Sequence, residues 1–281
     1  MTDTPQPARP LARVWLVVNA GSGSTDAAVI AGLTEVLEQR GIAVAGTTDF
    51  PEQTLPDAEI LRAATAETLL ICGGDGTINA TWSAADDWDG QCLVLPGGTM
   101  NGLAKTLHGD AARDAILDAV ATATLVHPPI ASAEGHHALV GVILGPAASW
   151  VHAREGVRKG RFIRAIRAAR LAWARSFGRT IRVAGTAGKH RAVFVIPGDA
   201  GLEIAAISAD GISDAIRLGW QWLLGDWRTA PGVTVAIADQ VTLLGRRKVR
   251  ALFDGEPAML PSPAVLRHGR TRLSFVRTKP A

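Results

Sequence analysis

Continuous apolar runs ended by glycine set the pattern of the first part of this chain. Residues 14–18 are followed by Asn19-Ala20-Gly21-Ser22-Gly23-Ser24. Residues 68–72 are followed by Gly73-Gly74-Asp75-Gly76-Thr77-Ile78-Asn79, and residues 92–95 by Pro96-Gly97-Gly98-Thr99-Met100-Asn101. Such runs read as buried strands, and a fourth is expected over 42–45. Between them, apolar positions at helical spacing predict helices over 25–40, 57–65, 77–85, 100–107 and 110–122. In the first, Val29, Ile30, Leu33, Val36 and Leu37 share one face. Strand, glycine-rich turn, helix occurs three times, which predicts a doubly wound parallel α/β sheet.

From about residue 125 the texture changes. Short apolar runs at 138–144, 180–183, 192–196, 233–237, 240–244 and 248–253 are separated by glycine, proline or charge. That predicts a mostly β second domain. The expected division is 11–123 for the α/β domain and 124–277 for the β domain, with the C-terminal end free to return to the first. A length of 281 residues suits two domains. Residues 1–10, with three prolines and no apolar pattern, read as a loose tail.

Composition narrows the setting. No apolar run is long enough to span a bilayer, and no secretory signal is expected, because the N-terminus lacks an apolar stretch. Two cysteines, Cys72 and Cys92, exclude a disulfide framework and fit a reducing cytoplasm. The net charge is only +3, but the basic residues are uneven. Between Arg154 and Arg179 stand eight arginines and one lysine against Glu155. Phe162, Ile163, Ile166, Leu171 and Trp173 interleave with them at rough helical spacing. The segment reads either as a solvated helix face or as a basic amphipathic contact for an anionic membrane surface. No nucleic-acid motif accompanies the charge. Trp220, Trp222 and Trp227 read as core or cleft residues, and His136-His137 as a surface turn.

The glycine loops carry the candidate chemistry. Glycine lets backbone approach an oxygen-rich ligand, and amides at a helix start favour anions. Loops at the carboxyl ends of neighbouring parallel strands lie where open α/β sheets bind ligands. Gly97 and Gly102 have the spacing of a Walker A loop, but Leu103 stands where its lysine belongs. Gly74-Asp75-Gly76-Thr77-Ile78 ends on Asn79 rather than glycine, which argues against a dinucleotide fingerprint and hydride transfer.

Together these motifs resemble the diacylglycerol kinase catalytic family, which includes bacterial lipid kinases and sphingosine and ceramide kinases. The three loops look like its nucleotide-site motifs. Phe253-Asp254-Gly255-Glu256-Pro257 and Asp210-Gly211-Ile212 are similar to its later motifs. The resemblance spans roughly residues 13 to 277. It implies an α/β nucleotide domain followed by a β-sandwich lipid-binding domain, the active site in the cleft between them, and transfer of the ATP γ-phosphate to a lipid hydroxyl with Mg2+. It implies nucleotide contacts from Asn19, Gly21, Ser22, Gly23, Thr48 (or Thr47), Gly73, Gly74, Asp75, Gly76, Thr77, Asn79, Gly98, Thr99 and Asn101. Asp75 would act through Mg2+ or an ordered water. Asp254 is the expected general base, with Glu256 the competing choice. A structural metal is implied at Asp210 with the carbonyls of Ile207 and Ile212. The implied partners are a lipid substrate and an anionic membrane, reached peripherally from the cytoplasm, and a homodimer is compatible.

Departures from the family pattern keep alternatives open. Gly102 stands where an acid usually follows the third loop, Ala80 where glutamate is usual, and Ala20 where proline is usual. Gly145-Pro146-Ala147 stands where Gly-Phe-Asp is common. A catalytically degenerate nucleotide- or lipid-binding member is one alternative. An NAD kinase, whose family shares a Gly-Gly-Asp-Gly loop, is another.

Overall fold

In the computed structural model, which describes residues 6–21, 27–145, 181–184, 189–190, 192–207, 233–244 and 248–280, the apolar runs of the first part become adjacent strands. They are β1 (Gln6–Pro7), β2 (Arg13–Val18), β3 (Ala43–Asp49), β4 (Thr68–Gly73), β5 (Gln91–Pro96) and β6 (Thr124–Val126). A last strand, β18 (Ser274–Arg277), joins them in a sheet of order β1-β6-β18-β5-β4-β2-β3. The pairs from β18 through β5, β4 and β2 to β3 are parallel, and β6 runs antiparallel to β18 and to β1.

The helices are α1 (Ala27–Gln39), α2 (Ala58–Ala63), α3 (Asp75–Ala84), α4 (Gly102–His108) and α5 (Arg113–Ala119). Steric and capping chemistry ends them. Gly41, at φ +70°, closes α1 while Ile42 N–H donates to the Leu37 carbonyl at 2.9 Å. Asp57 caps α2, its Oδ1 accepting from Ile60 N–H at 2.9 Å. Leu33 and Leu37 of α1 and Ile116 and Leu117 of α5 pack on Val14, Leu16, Val18, Leu70, Cys72, Leu93, Leu95 and Val276. The alternate residues Val17, Leu69, Ile71, Val94 and Phe275 are just as buried. Both faces of the sheet are therefore covered, which explains the unbroken apolar runs.

The chain divides into residues 1–128 with 270–281, and residues 129–269. The second unit thus begins after Pro128 and ends at Gly269, not at 277. The C-terminal segment belongs to the first unit. Phe275 and Val276 are fully buried there, Lys279 N–H donates to the Leu107 carbonyl at 3.0 Å, and Thr278 Oγ1 lies 2.9 Å from His108 Nδ1.

The second unit contains β7 (Pro129–Ala133), β8 (His136–Ala138), β9 (Val142–Leu144), β10 (Arg182–Val183), β11 (Ala192–Gly198) and β12 (Gly201–Ile207). It continues with β13 (Val233–Ala238), β14 (Gln240–Leu244), β15 (Val249–Phe253), β16 (Glu256–Leu260) and β17 (Ala264–Arg270). One sheet has the order β10-β14-β17-β7-β8 and the other β13-β12-β11-β9-β15-β16. Inward residues of both sheets, among them Ala131, Val183, Val241 and Leu266 from one and Leu144, Val193, Leu202 and Phe253 from the other, form a single core. This is the β-sandwich expected.

Three local readings change. Residues 6–10 are not a loose tail: β1 pairs with β6, and Arg9 N–H donates to Gln91 Oε1 at 2.8 Å. The run 138–144 is not one strand: β8 lies in one sheet, β9 in the other, and residues 139–141 cross between them. His136-His137 is not a turn. The turn lies earlier, at Glu134 (φ +51°) and Gly135 (φ +78°), and both histidines lie on β8. Residues 154–179 and the tryptophans at 220, 222 and 227 lie outside the described residues. No described helix is long and apolar enough to cross a membrane.

His108 ties α4 to the C-terminal segment, and its burial has a pH signature. Burial pushes the imidazole down to about 4, outweighing the Val94 backbone hydrogen bond, which acts upward. His190 is also lowered by burial. Between the ordinary histidine range near 6.5 and about 4, the unfolded chain holds a proton at His108 that the folded chain refuses. Stability from this group is therefore present above that range and lost as pH falls through it. Denaturant unfolding should show a loss of up to about 3 kcal/mol from His108 across the window. His108→Gln should remove that share. An identical pH profile in the variant would show that the ring is not the titrating group.

Candidate functional site

The strand order locates the site. From β2 the chain winds through α1 to β3 on one side, then returns across β2 to β4 and β5. Right-handed crossovers place α1 on one face and α2 and α3 on the other. The winding reverses between β2 and β4, and a crevice opens there at their carboxyl ends. The loop after β2 and the loop after β4 flank it.

Polar side chains stitch the loops together. Asn19 reaches across the crevice, its Nδ2 donating to Thr77 Oγ1 at 2.9 Å. Its Oδ1 accepts from Gly21 N–H at 2.9 Å and holds the first loop. Helix α3 begins at Asp75, two residues before the expected start, so Asp75 lies in its first turn. The Asp75 carboxylate accepts from Gly102 N–H at 3.0 Å and Leu103 N–H at 3.1 Å. It therefore caps α4 from another loop. Asn101 is left-handed (φ +51°), and its Oδ1 accepts from Gly98 N–H at 2.7 Å. Gly97 N–H donates to the Gly73 carbonyl at 3.2 Å.

These bonds bring the second and third loops into van der Waals contact. A Cβ on Gly98 would lie 2.5 Å from the Gly74 Cα, and one on Gly73 would lie 2.9 Å from the Thr77 Cβ. No side chain fits at either position without moving backbone. Gly74 and Gly76 remain partly exposed, and Thr99 is exposed on the rim. The arrangement offers backbone amides and hydroxyls beside a helix start, the chemistry of phosphate recognition.

Other expected contact residues have partners of their own. Thr48 is buried on β3, which runs on to Asp49, and its Oγ1 accepts from Trp15 Nε1 at 3.0 Å. Thr47, the alternative, is exposed. Asn79 is buried one turn into α3, its Oδ1 accepting from Ser83 Oγ at 3.4 Å. Ser22, Gly23, Asp210 and Ile212 lie outside the described residues. Ile207 ends β12, paired with Ala192 and Val233. Among the described residues no three acidic, histidine or cysteine side chains form a metal cluster. A magnesium ion bound largely by phosphates and water needs only one protein carboxylate nearby, and Asp75 is the one at the loops. Burial pushes the Cys92 thiol far up, so it stays protonated and inert.

Sequence reasoning missed two partners. Arg113 braces the third loop, its Nε donating to the Pro96 carbonyl at 2.8 Å. A cavity of about 550 Å3 lies beside it, lined by Val29, Leu33, Val36, Pro96, Asn101 and Arg113 among others. No local motif marks an arginine whose target is a carbonyl. The second is the crossover at 139–141. Asp254 Oδ2 accepts from Leu139 N–H at 2.7 Å, and Oδ1 from Val140 N–H at 2.9 Å and Gly141 N–H at 2.8 Å. Asp254 (φ +48°) and Gly255 (φ +96°) form the two-residue turn between β15 and β16. Glu256 opens β16, exposed, and its carboxylate makes no hydrogen bond or ion pair among the described residues.

Residues 13–130 match the model of the diacylglycerol kinase catalytic domain. Over those residues the chain is similar to that family. A diacylglycerol kinase structure from Bacillus anthracis str. Sterne is similar with a TM-score of 0.61 and 16% identity, covering 94% of this chain and 96% of that one. Another structure from that strain, given as a candidate diacylglycerol kinase, has a TM-score of 0.62 at 17% identity, covering 94% and 97%. At such identities the likeness shows a shared fold. No curated protein sequence matches it.

The contact between the loops generates a prediction. Gly98→Ala must push the third loop off Gly74, and calorimetric titration with Mg-ATP should show affinity reduced about tenfold or more, a change of about 1.4 kcal/mol. Unchanged affinity would mean that the joined loops are not the phosphate site.

Proposed function

We propose that the protein is an ATP- and Mg2+-dependent lipid kinase, transferring the γ-phosphate to the hydroxyl of a diacylglycerol-like or sphingoid lipid. The observation that carries this reading is the joined pair of loops, with Gly98 against Gly74 and Asp75 bridging to the start of α4. Amides held this close can follow a phosphate chain, and the kinase-family match of residues 13–130 supports the same class. In the proposed step the lipid hydroxyl oxygen forms a bond to the γ-phosphorus and the bond from that phosphorus to the β,γ-bridging oxygen breaks. ADP leaves with that oxygen, and the hydroxyl proton passes to a carboxylate. Mg2+ would neutralise phosphate charge, with Asp75 acting on it through water. Most of the acceleration comes from positioning and charge neutralisation.

Of the two candidate proton acceptors we assign the role to Glu256. The Asp254 carboxylate is already taken up by three backbone amides of the sheet crossover. Glu256 is exposed and carries no such bonds. A second reading, a binding protein with degenerate chemistry, draws on the two amides that already occupy the Asp75 carboxylate and on Gly102 in place of an acid.

Incubation with labelled ATP, Mg2+ and a panel of diacylglycerol, sphingosine, ceramide and NAD tests these readings. Label in a lipid is the expected result. Label in NADP would make the protein an NAD kinase, and nucleotide binding without transfer would favour the degenerate reading. Glu256→Gln should lower kcat by about 10²-fold or more with ATP affinity unchanged. Near-normal turnover would return the role to Asp254.

The same reading places the protein in the cytoplasm at an anionic membrane surface, through the arginines between 154 and 179. Arg161, Arg164 and Arg167 changed together to Gln should weaken sedimentation with anionic vesicles and leave neutral vesicles unaffected. Wild-type binding should fall as salt rises. Binding insensitive to both lipid charge and salt would exclude the electrostatic anchor.

A further inference from the structure

The crossover between the two sheets of the second unit places three successive amides where no ladder receives them. β8 ends at Ala138 in one sheet and β9 begins at Val142 in the other. Between them the N–H groups of Leu139, Val140 and Gly141 converge on one point, the arrangement of an anion-binding nest. Leaving such donors unpaired in a half-buried segment is costly. The anion that fills the nest comes from a distant part of the chain, the Asp254 carboxylate, at 2.7, 2.9 and 2.8 Å. The Asp254 N–H returns a bond to the Gly141 carbonyl at 3.0 Å. Four hydrogen bonds thus hold the tip of the β15–β16 hairpin to the crossover.

A two-residue turn at the end of a hairpin is otherwise free to fray. Here the left-handed Asp254 and Gly255 are fixed from the side, and Glu256 follows directly, opposite Phe253 in the ladder. Phe253 is itself held, buried and stacked on His136 of β8 with ring centroids 5.4 Å apart. The residue before the turn is therefore anchored to the same corner.

We propose that Asp254 is a positioning residue: its carboxylate plugs the amide nest of the sheet crossover and so fixes the turn that presents Glu256. This rests on the assignment of Glu256 as proton acceptor. Asp254 then contributes an anionic plug and no proton transfer.

The two roles separate by anion rescue. Asp254→Ala empties the nest, and formate and nitrate are planar oxyanions able to fill it. Formate accepts protons at working pH far better than nitrate does. Asp254→Ala should lower kcat about tenfold or more, as a misplaced catalytic group does, with Mg-ATP affinity unchanged. Formate and nitrate should restore turnover alike, and the acid limb of the pH–rate profile should persist in the rescued enzyme. Amide exchange followed by NMR should show protection at Leu139, Val140 and Gly141 lost in the variant and regained with either anion. Rescue by formate alone would make Asp254 the proton acceptor and overturn the proposal, and so would wild-type kcat in the unrescued variant. If Asp254→Ala does not fold, Asp254→Asn carries the test, since asparagine suits the same positive φ. Its kcat should fall with the acid limb retained, and loss of the limb would overturn the proposal. A wild-type protein inactive on every acceptor would count against the kinase reading instead. Amide exchange would then decide the nest, and protection retained in Asp254→Ala would refute it.

Discussion

The structure depends on one constraint: a parallel sheet must bury both faces, and right-handed crossovers dictate which helix covers which face. Because the chain leaves β2 in one direction and returns for β4 in the other, the covering helices diverge between those strands. The crevice is a consequence of winding. The loops beside it are then short of room, and the glycines answer that shortage. Gly98 meets Gly74 backbone to backbone because the strands that lead into them, β5 and β4, are neighbours.

Side chains commonly assigned to ligand contact already have structural work in this site. Asp75 caps a helix that does not follow it in sequence, Asn101 holds the turn of its own loop, and Asn19 ties β2 to α3. Such cross-loop bonds keep the amides aimed before any ligand arrives, which lowers the ordering cost of binding. A residue can hold the frame and face the ligand, so changes at Asp75 should be read on stability and on turnover together.

The second unit shows the same economy in an all-β setting. Two sheets share one core, and the chain passes between them at Leu139–Gly141, where regular pairing is impossible. The carboxylate that receives those amides belongs to the motif that the family resemblance marks for chemistry. Asp254 and Glu256 are two residues apart and differ completely in surroundings, one gripped by three amides and the other exposed.

The α/β order and the three loops were legible in the amino-acid sequence, because they depend on local chemistry. Unbroken apolar runs mark doubly buried strands, and glycine marks backbone that must turn or approach closely. Partners distant along the chain were not legible. Nothing local to residues 138–144 announces a crossing between sheets, since its apolar residues are buried on either side of the break. Nothing near Thr48 shows that Trp15 takes its hydroxyl, and nothing at Gly102 shows that Asp75 caps it. The return of β18 to the first sheet was open in sequence, because a short apolar run suits either unit. Tertiary structure decided these points, because a buried donor pairs with whichever acceptor the fold brings within reach, however far away it lies in the chain.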